Sequence, residues 1–559
     1  MTTINSSQPR QSESVGADWF RRVPRGQEAT RCRPDNSRNR TKNSRFREQF
    51  SDTSRNRAKK TAIPRVILRL FPIFAANKKK KKVMFIGREK EIKELRELLK
   101  EDSSKFVAVY GRRRIGKTLL IREAFSDTFA FRYSGVYDCR NTKQLLNFRM
   151  ALAGQGAGDA EVPQDWFTAF NQLEKFLENS DAAKKVVFLD EIPWMDAPKS
   201  NFVSALEHFW NGWAFHRNDI ILVVCGSATS WIVKKIFKNR GGLHNRLSFK
   251  INLKPFTLKE CEQYASARAL AMTRQQILET YMILGGVPYY WSFLQKGKSV
   301  AKNIDDMFFT ENAALEGEFS ELYAALFKNP DPYIAVVEEL SRNGIGESRE
   351  DIVKGIKVKD GGKITTILED LENCGFIRKY NRIGTRSKYA LYQLTDNYTI
   401  FYYKFLSDKK NNDPSFWELV QGNPAYNAWA GVSFERVCLQ HVPQIREALS
   451  INGVITNVCS WRTTTSTDER SKDARGAQVD LLLDRNDRII NLCEMKFASG
   501  KYTITKSYDE VLRNKRTRFI EETRTRKAVH ITMVTTYGLT HNAYCNNIQS
   551  EVTADDLFR

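Results

Sequence analysis

The residues best suited to chemistry stand at Gly111-Arg112-Arg113-Arg114-Ile115-Gly116-Lys117-Thr118, a complete G-x-x-x-x-G-K-[ST] pattern. Two glycines let the backbone curl so that successive N–H groups point inward, and a following helix adds the positive end of its dipole; the ligand such a cradle suits is a chain of phosphates. Lys117 is placed to reach the β- and γ-phosphates, and the Thr118 hydroxyl to complete the coordination of Mg²⁺. The flanks fit. Phe106-Val107-Ala108-Val109-Tyr110 is an apolar, strand-like run, and Leu119 to Phe125 reads as the first turns of a helix.

Some 75 residues on, Val186-Val187-Phe188-Leu189-Asp190-Glu191 is a fully apolar run ending in two carboxylates. That suits a central parallel strand whose carboxyl end faces a ligand crevice. Asp190 is expected to serve Mg²⁺ through water, and Glu191 to orient and deprotonate an attacking water. A third apolar run, Ile220 to Cys225, ends at Gly226-Ser227. Ser227, with Thr229 as the alternative, is the candidate for sensing the γ-phosphate. Arg246 follows a helix and precedes another strand, Ser248 to Leu253. A planar, permanently charged fork there suits an arginine finger reaching a neighbouring subunit's nucleotide.

A second constellation lies near the carboxyl end. Asp480 sits in the strand-like Gly476 to Asp484. A turn at Arg485 to Arg488 leads to Ile489-Ile490-Asn491-Leu492-Cys493-Glu494-Met495-Lys496. Period-two alternation puts Glu494 and Lys496 on one strand face, and a hairpin about Asn486-Asp487 sets Asp480 opposite Glu494. With Glu435 from the amphipathic stretch Trp429 to Leu439, these oxygens form a second candidate Mg²⁺ site, at Asp480 and Glu494, with Lys496 positioning or deprotonating water.

Around these residues the chain divides. Residues 1–82 carry 22 Lys and Arg against 6 Asp and Glu, a surplus of 16 that leaves only 8 of the net charge of +24 for the other 477 residues. The tail lacks periodicity and is expected to be disordered. Its charge makes the overall basicity weak evidence for nucleic-acid binding by the folded part. Residues 83–255 hold the nucleotide motifs. Residues 256–329 read as a helical lid: Leu258 to Leu270, Thr273 to Leu284 and Val300 to Phe309 are helices, with a kink at Gly285-Gly286-Val287-Pro288. Residues 330–406 read as a winged helix-turn-helix, three helices and then two short strands. Its wing is basic through Arg378, Lys379, Arg382, Arg386 and Lys388, as a contact with a DNA backbone requires. Residues 407–559 form the last domain. Nine scattered cysteines without a C-x-x-C pair suit a reduced, cytoplasmic protein, and no window approaches a membrane span.

Asp480, then Glu494-x-Lys496, with the upstream Glu435, resembles the PD-(D/E)xK nuclease signature, although Val479 stands where that name has proline. From Met84 onward the order of motifs resembles archaeal and bacterial AAA+ ATPases related to the signal-transduction NTPases with numerous domains. The resemblance implies an α/β fold: a P-loop NTPase parallel sheet with helical lid, a winged helix, and a C-terminal α/β domain of restriction-endonuclease type. It also implies that Phe85 to Leu95 lies beside the adenine ring. The expected function is ATP binding and hydrolysis with Mg²⁺, coupled to a DNA-directed, nuclease-like domain, in a chain able to form homo-oligomers. The alternatives are an NTP-dependent regulatory switch with an inactive C-terminal docking domain, and a transcription regulator acting through the winged helix alone.

Overall fold

The computed structural model describes residues 85–559 apart from 127, 159–160, 228, 240, 358–360, 385–389, 408–412 and 464–476. The basic tail and the wing residues Arg386 and Lys388 therefore lie outside the described residues.

Five strands, β1 (Lys105–Tyr110), β2 (Phe131–Ser134), β3 (Lys185–Asp190), β4 (Ile220–Gly226) and β5 (Phe249–Asn252), form an all-parallel sheet in the order β2-β3-β4-β1-β5. Strands buried on both faces are apolar along their middles, as β1, β3 and β4 are between their end residues. Alternate residues feed separate cores. Phe106 and Ala108 join Val187 and Leu222 under the helices Asn141–Leu152, Trp166–Glu178 and Phe202–Gly212 on one face, whereas Val107 and Val109 join Phe188 and Val223 under Lys117–Ala124 on the other.

The chain then turns helical. Leu258–Ala267 and Arg274–Leu284 each begin with a capping box, Thr257 with Glu260 and Thr273 with Gln276, which satisfies two orphan N–H groups at each start. The first of these helices stops at Ala267, three residues short of Leu270, and Ala269 takes a left-handed φ of 50°. Gly286 is required by close packing: a Cβ there would lie 1.9 Å from the Phe256 carbonyl oxygen. Val300–Phe308 and Glu318–Leu326 complete this helical part.

Helix Asp331–Arg342, strand β6 (Glu347–Ser348), helices Arg349–Gly355 and Gly362–Asn373, and strands β7 (Ile377–Tyr380) and β8 (Leu391–Leu394) follow in that order, and the three strands form a small antiparallel sheet ordered β6-β8-β7. The last part is a five-stranded mixed sheet. β9 (Thr456–Arg462), β10 (Gln478–Arg485) and β11 (Ile489–Lys496) are antiparallel; then, with a short ribbon of β12 (Tyr502–Thr503) and β14 (Leu539–Thr540) beside it, the sheet continues in parallel through β13 (Ala528–Thr535) and β15 (Ile548–Thr553). Helix Pro424–Gln440 packs against both β11 and Arg274–Leu284. One continuous apolar core consequently runs from Phe256 to Phe558. Among the described residues no helix is long and apolar enough to cross a membrane.

Candidate functional site

The loop after β1 is a cradle whose shape glycine makes accessible. A Cβ on Gly111, at φ 140°, would fall 2.3 Å from the Leu253 carbonyl oxygen, so the approach of the chain after β5 requires its absence. Gly116, at φ 90°, caps helix Lys117–Ala124 and faces open space. The first-turn amides and helix dipole are thus presented to that space. Lys117 is nearly buried and folds back over its own loop, its Nζ donating to the carbonyls of Gly111 (3.1 Å) and Arg112 (2.9 Å). Carbonyl oxygens are weak partners for an ammonium beside a cradle of amides, and a phosphate oxygen can replace them.

Strand pairing brings the acidic residues to the same end. The Thr118 hydroxyl donates to Asp190 Oδ2 at 2.8 Å, and the Glu191 N–H donates to Asp190 Oδ1 at 2.9 Å. Glu191 has a φ of 46°, and its side chain turns toward β4, where Oε2 accepts both the Ser227 N–H (3.1 Å) and the Ser227 hydroxyl (2.9 Å). Four of the residues picked out by type and spacing therefore form two linked pairs at the carboxyl ends of the sheet. β1 lies between β4 and β5, so the strand order reverses beside the cradle, as in sheets that bind ligands at that crevice. The convergent oxygens of Thr118 and Asp190 are of the kind that suits Mg²⁺ beside phosphate. Next to the loop, Phe85, Ile86, Ile115, Leu253, Phe256 and Tyr264, with Arg88 among them, line a small, mostly apolar hollow that Gly116 borders. The segment ahead of the cradle, through Phe85 and Ile86, thus forms one wall of that hollow.

Arg246 is placed differently. It precedes β5, where the Ser248 N–H donates to the carbonyl of Phe106 near the start of β1, so it lies at the opposite end of the sheet from Gly111. It is exposed and stacks 4.9 Å from the Phe215 ring centroid.

In the C-terminal sheet the β10–β11 register runs from Asp484↔Ile490 to Leu481↔Cys493, which leaves Asp480 and Glu494 as the next residues on their two strands, beside an irregularity of β10 between Val479 and Leu482. Burial, and after it the Asp480 carboxylate, pushes Glu435 up to about 7, with Arg436 and Lys496 opposing. Two residues not picked out from the sequence decide the state of this cluster. Glu494, nearly buried, receives Lys515 Nζ on Oε1 (2.6 Å) and the Tyr508 hydroxyl on Oε2 (3.1 Å), both from helix Lys506–Thr523. Asp480 Oδ1 accepts from Gln478 (2.6 Å), and Lys496 sits 5.0 Å from the Tyr508 ring centroid. Among the described residues no three His, Cys, Asp or Glu side chains are grouped so as to hold a metal ion. Both Glu494 oxygens are engaged by protein donors in this arrangement. The sequence signal for Lys515 was the run of cations at Arg513, Lys515, Arg516 and Arg518.

The basic strand β7 also departs from expectation. Arg378 is turned inward: its Nε donates to Gln393 Oε1 at 2.7 Å, and its guanidinium lies over the Tyr380 ring. Burial holds it down to about 10, below the ordinary arginine range. Beyond Tyr380 the chain lies along the edge strand β9, where Ile383 N–H donates to the Ser460 carbonyl (2.9 Å) and Ser460 N–H to that of Asn381 (3.3 Å). Lys379 remains exposed.

Residues 85–293 match the family model of an ATPase domain predominantly from Archaea. Over 434 residues, 75% of this chain and 88% of the relative, the sequence is 23% identical to an uncharacterized protein of Methanocaldococcus jannaschii. Among solved structures, a Walker-type ATPase of Pyrococcus abyssi aligns with 14% identity and a TM-score of 0.42, covering 57% of this chain and 96% of that one. The ORC2 protein of Aeropyrum pernix aligns with 14% identity and a TM-score of 0.34, covering 65% and 97%. The RuvB Holliday junction branch migration motor of Thermotoga maritima aligns with 14% identity and a TM-score of 0.30, covering 55% and 92%.

Proposed function

We propose that the P-loop ATPase domain of residues 85–293 binds and hydrolyses ATP with Mg²⁺. The observation that carries this is the pairing of Thr118 with Asp190 and of Glu191 with Ser227 beside the cradle of Gly111 to Lys117. The cradle amides and Lys117 bind the phosphates, and the hollow beside them takes the base. Thr118 and Asp190 would hold Mg²⁺, which when bound neutralises charge on the β- and γ-phosphate oxygens. Glu191, released from Ser227, orients a water for in-line attack on the γ-phosphorus and takes its proton, while the bond from the γ-phosphorus to the β,γ-bridging oxygen breaks and ADP leaves; Ser227 is then free to donate to the γ-phosphate. Arg246 serves a second copy's nucleotide, which makes the active form a homo-oligomer.

The element order of residues 330–406 is read as a winged helix, and residues 407–559 as a nuclease-like domain around Glu435, Asp480, Glu494 and Lys496. Two readings of that end follow. In one, DNA is cleaved there. In the other the chain is an ATP-dependent switch and the C-terminal sheet is a docking surface. The capture of Glu494 by Lys515 and Tyr508 favours the second, as does the inward turn of Arg378.

Nucleotide binding is measured on the full chain by titration with ATP and Mg²⁺, beside Lys117→Ala. Loss of binding in the variant is expected; undiminished affinity sinks the assignment of the loop. The same protein, incubated with plasmid or branched DNA, ATP and Mg²⁺, should leave the DNA intact. Cleavage that disappears in Asp480→Ala restores the nuclease reading.

A further inference from the structure

Three of the four variable positions in the phosphate loop are arginines, and two of them, Arg112 and Arg114, are tied to acids far outside the ATPase sheet. Arg112 pairs with Asp396, both side chains almost wholly buried. Asp396 is itself fixed, because its other oxygen caps helix Asn397–Phe401 through the Thr399 N–H (3.0 Å) and hydroxyl (2.6 Å). Arg114, at a left-handed φ of 70°, pairs with the buried Glu318 and stacks 4.3 Å from the Tyr289 ring centroid. The second oxygen of Glu318 accepts the Tyr290 hydroxyl at 2.7 Å. Each anchor is thus held by its own partners before the arginine arrives.

We propose that Asp396 and Glu318 are positioning residues for the phosphate loop, holding Arg112 and Arg114 so that the amides between Gly111 and Lys117 converge on the phosphates. This rests on the nucleotide reading of that loop. The physical case is one of pre-organisation. A loop with glycines at both ends samples many conformations, and its apparent affinity falls in proportion to the fraction that is competent. Anchoring the second and fourth positions removes most of that freedom. Arg112 is also the residue whose carbonyl accepts Lys117 Nζ, so its anchor positions the lysine as well. The side chains of Arg112 and Arg114 point to protein acids and need not touch the nucleotide.

The test is ATP titration into the full chain with Asp396→Asn and Glu318→Gln, compared with Asp305→Asn. Asp305 is an equally buried acid that caps Trp417 and Glu418 and lies outside the phosphate loop, so it controls for the loss of a buried carboxylate, and the paired variant below controls for the cation left behind. A loop left competent about a tenth of the time raises the Kd for ATP about tenfold in the Asp396 and Glu318 variants, while Asp305→Asn stays near wild type. The paired variant R112M/D396L removes both charges, so no unpaired ion is left buried, and it is expected to fold yet bind ATP as weakly as Asp396→Asn. Arg112→Lys should recover part of the affinity. An ATP Kd in Asp396→Asn equal to that of Asp305→Asn overturns the proposal. If Lys117→Ala still abolishes binding in that case, the assignment of the loop survives; if Lys117→Ala binds normally, both fall.

Discussion

At the scale of single residues, the site depends on a few atoms for which there is no room to vary. Gly111→Ala would drive a methyl group to 2.3 Å from a backbone oxygen that β1–β5 pairing holds in place. The expected outcome is a loss of several kcal/mol, on the order of an overpacked core position with added backbone strain. Thermal or urea unfolding of the variant checks this, and a melting point within about a degree of wild type would contradict it. The motif itself was legible because all of its residues lie within eight positions. Thr118 with Asp190 and Glu191 with Ser227 were recoverable because apolar strands end at them. Arg112 with Asp396 was not: the partners lie 284 positions apart, Arg112 fills a position the pattern leaves open, and Asp396 stands in no pattern. Lys515 with Glu494 failed for a related reason. A carboxylate ending an E-x-K strand reads as a ligand-binding group until the helix that neutralises it is known.

At the scale of elements, periodicity located the long buried strands and the capped helices. It did not single out β2, whose Phe131-Arg132-Tyr133-Ser134 alternates buried with exposed but is only four residues long. One junction between elements is sensitive to acid. His441, buried at the end of helix Pro424–Gln440, accepts the Leu258 N–H on Nε2 (3.0 Å) and directs Nδ1 to the Val437 carbonyl (2.8 Å), which fixes the neutral ring. Burial pushes it down to about 4. A base with a depressed folded-state pKa binds fewer protons in the folded chain than in the unfolded one. Its contribution to stability is therefore complete above its ordinary value of 6.5 and is lost as pH falls toward 4. Within that window His441 should steepen acid destabilisation by up to about 1.4 kcal/mol per pH unit. Urea midpoints of wild type and His441→Gln between pH 7 and about pH 4 would show the slope reduced in the variant. Parallel curves would remove the histidine from the explanation.

At the scale of the whole molecule, the apolar interior from Phe256 to Phe558 is continuous across the boundaries after residues 329 and 406 that the sequence suggests. Helix Pro424–Gln440 joins Arg274–Leu284 to the C-terminal sheet, and Lys234, on the segment following Ser227, pairs with Asp370 on helix Gly362–Asn373 at 2.6 Å. Such joints form between surfaces that sequence order does not bring together, so motif reading could count the parts without seeing that they share a core. The same joints give the ATP site physical routes to the rest of the chain, and each is a contact that two nucleotide states can favour unequally.

The most direct measurement is steady-state ATP hydrolysis by the full chain with Mg²⁺, wild type beside Glu191→Gln, with ATP affinity determined on both. Removing the general base while keeping the fold should lower turnover by about 10²–10⁴ and leave the Kd within about threefold. Wild-type protein that binds no ATP, or a Glu191→Gln chain that hydrolyses it as fast as wild type, would contradict the placing of catalysis between Thr118, Asp190, Glu191 and Ser227.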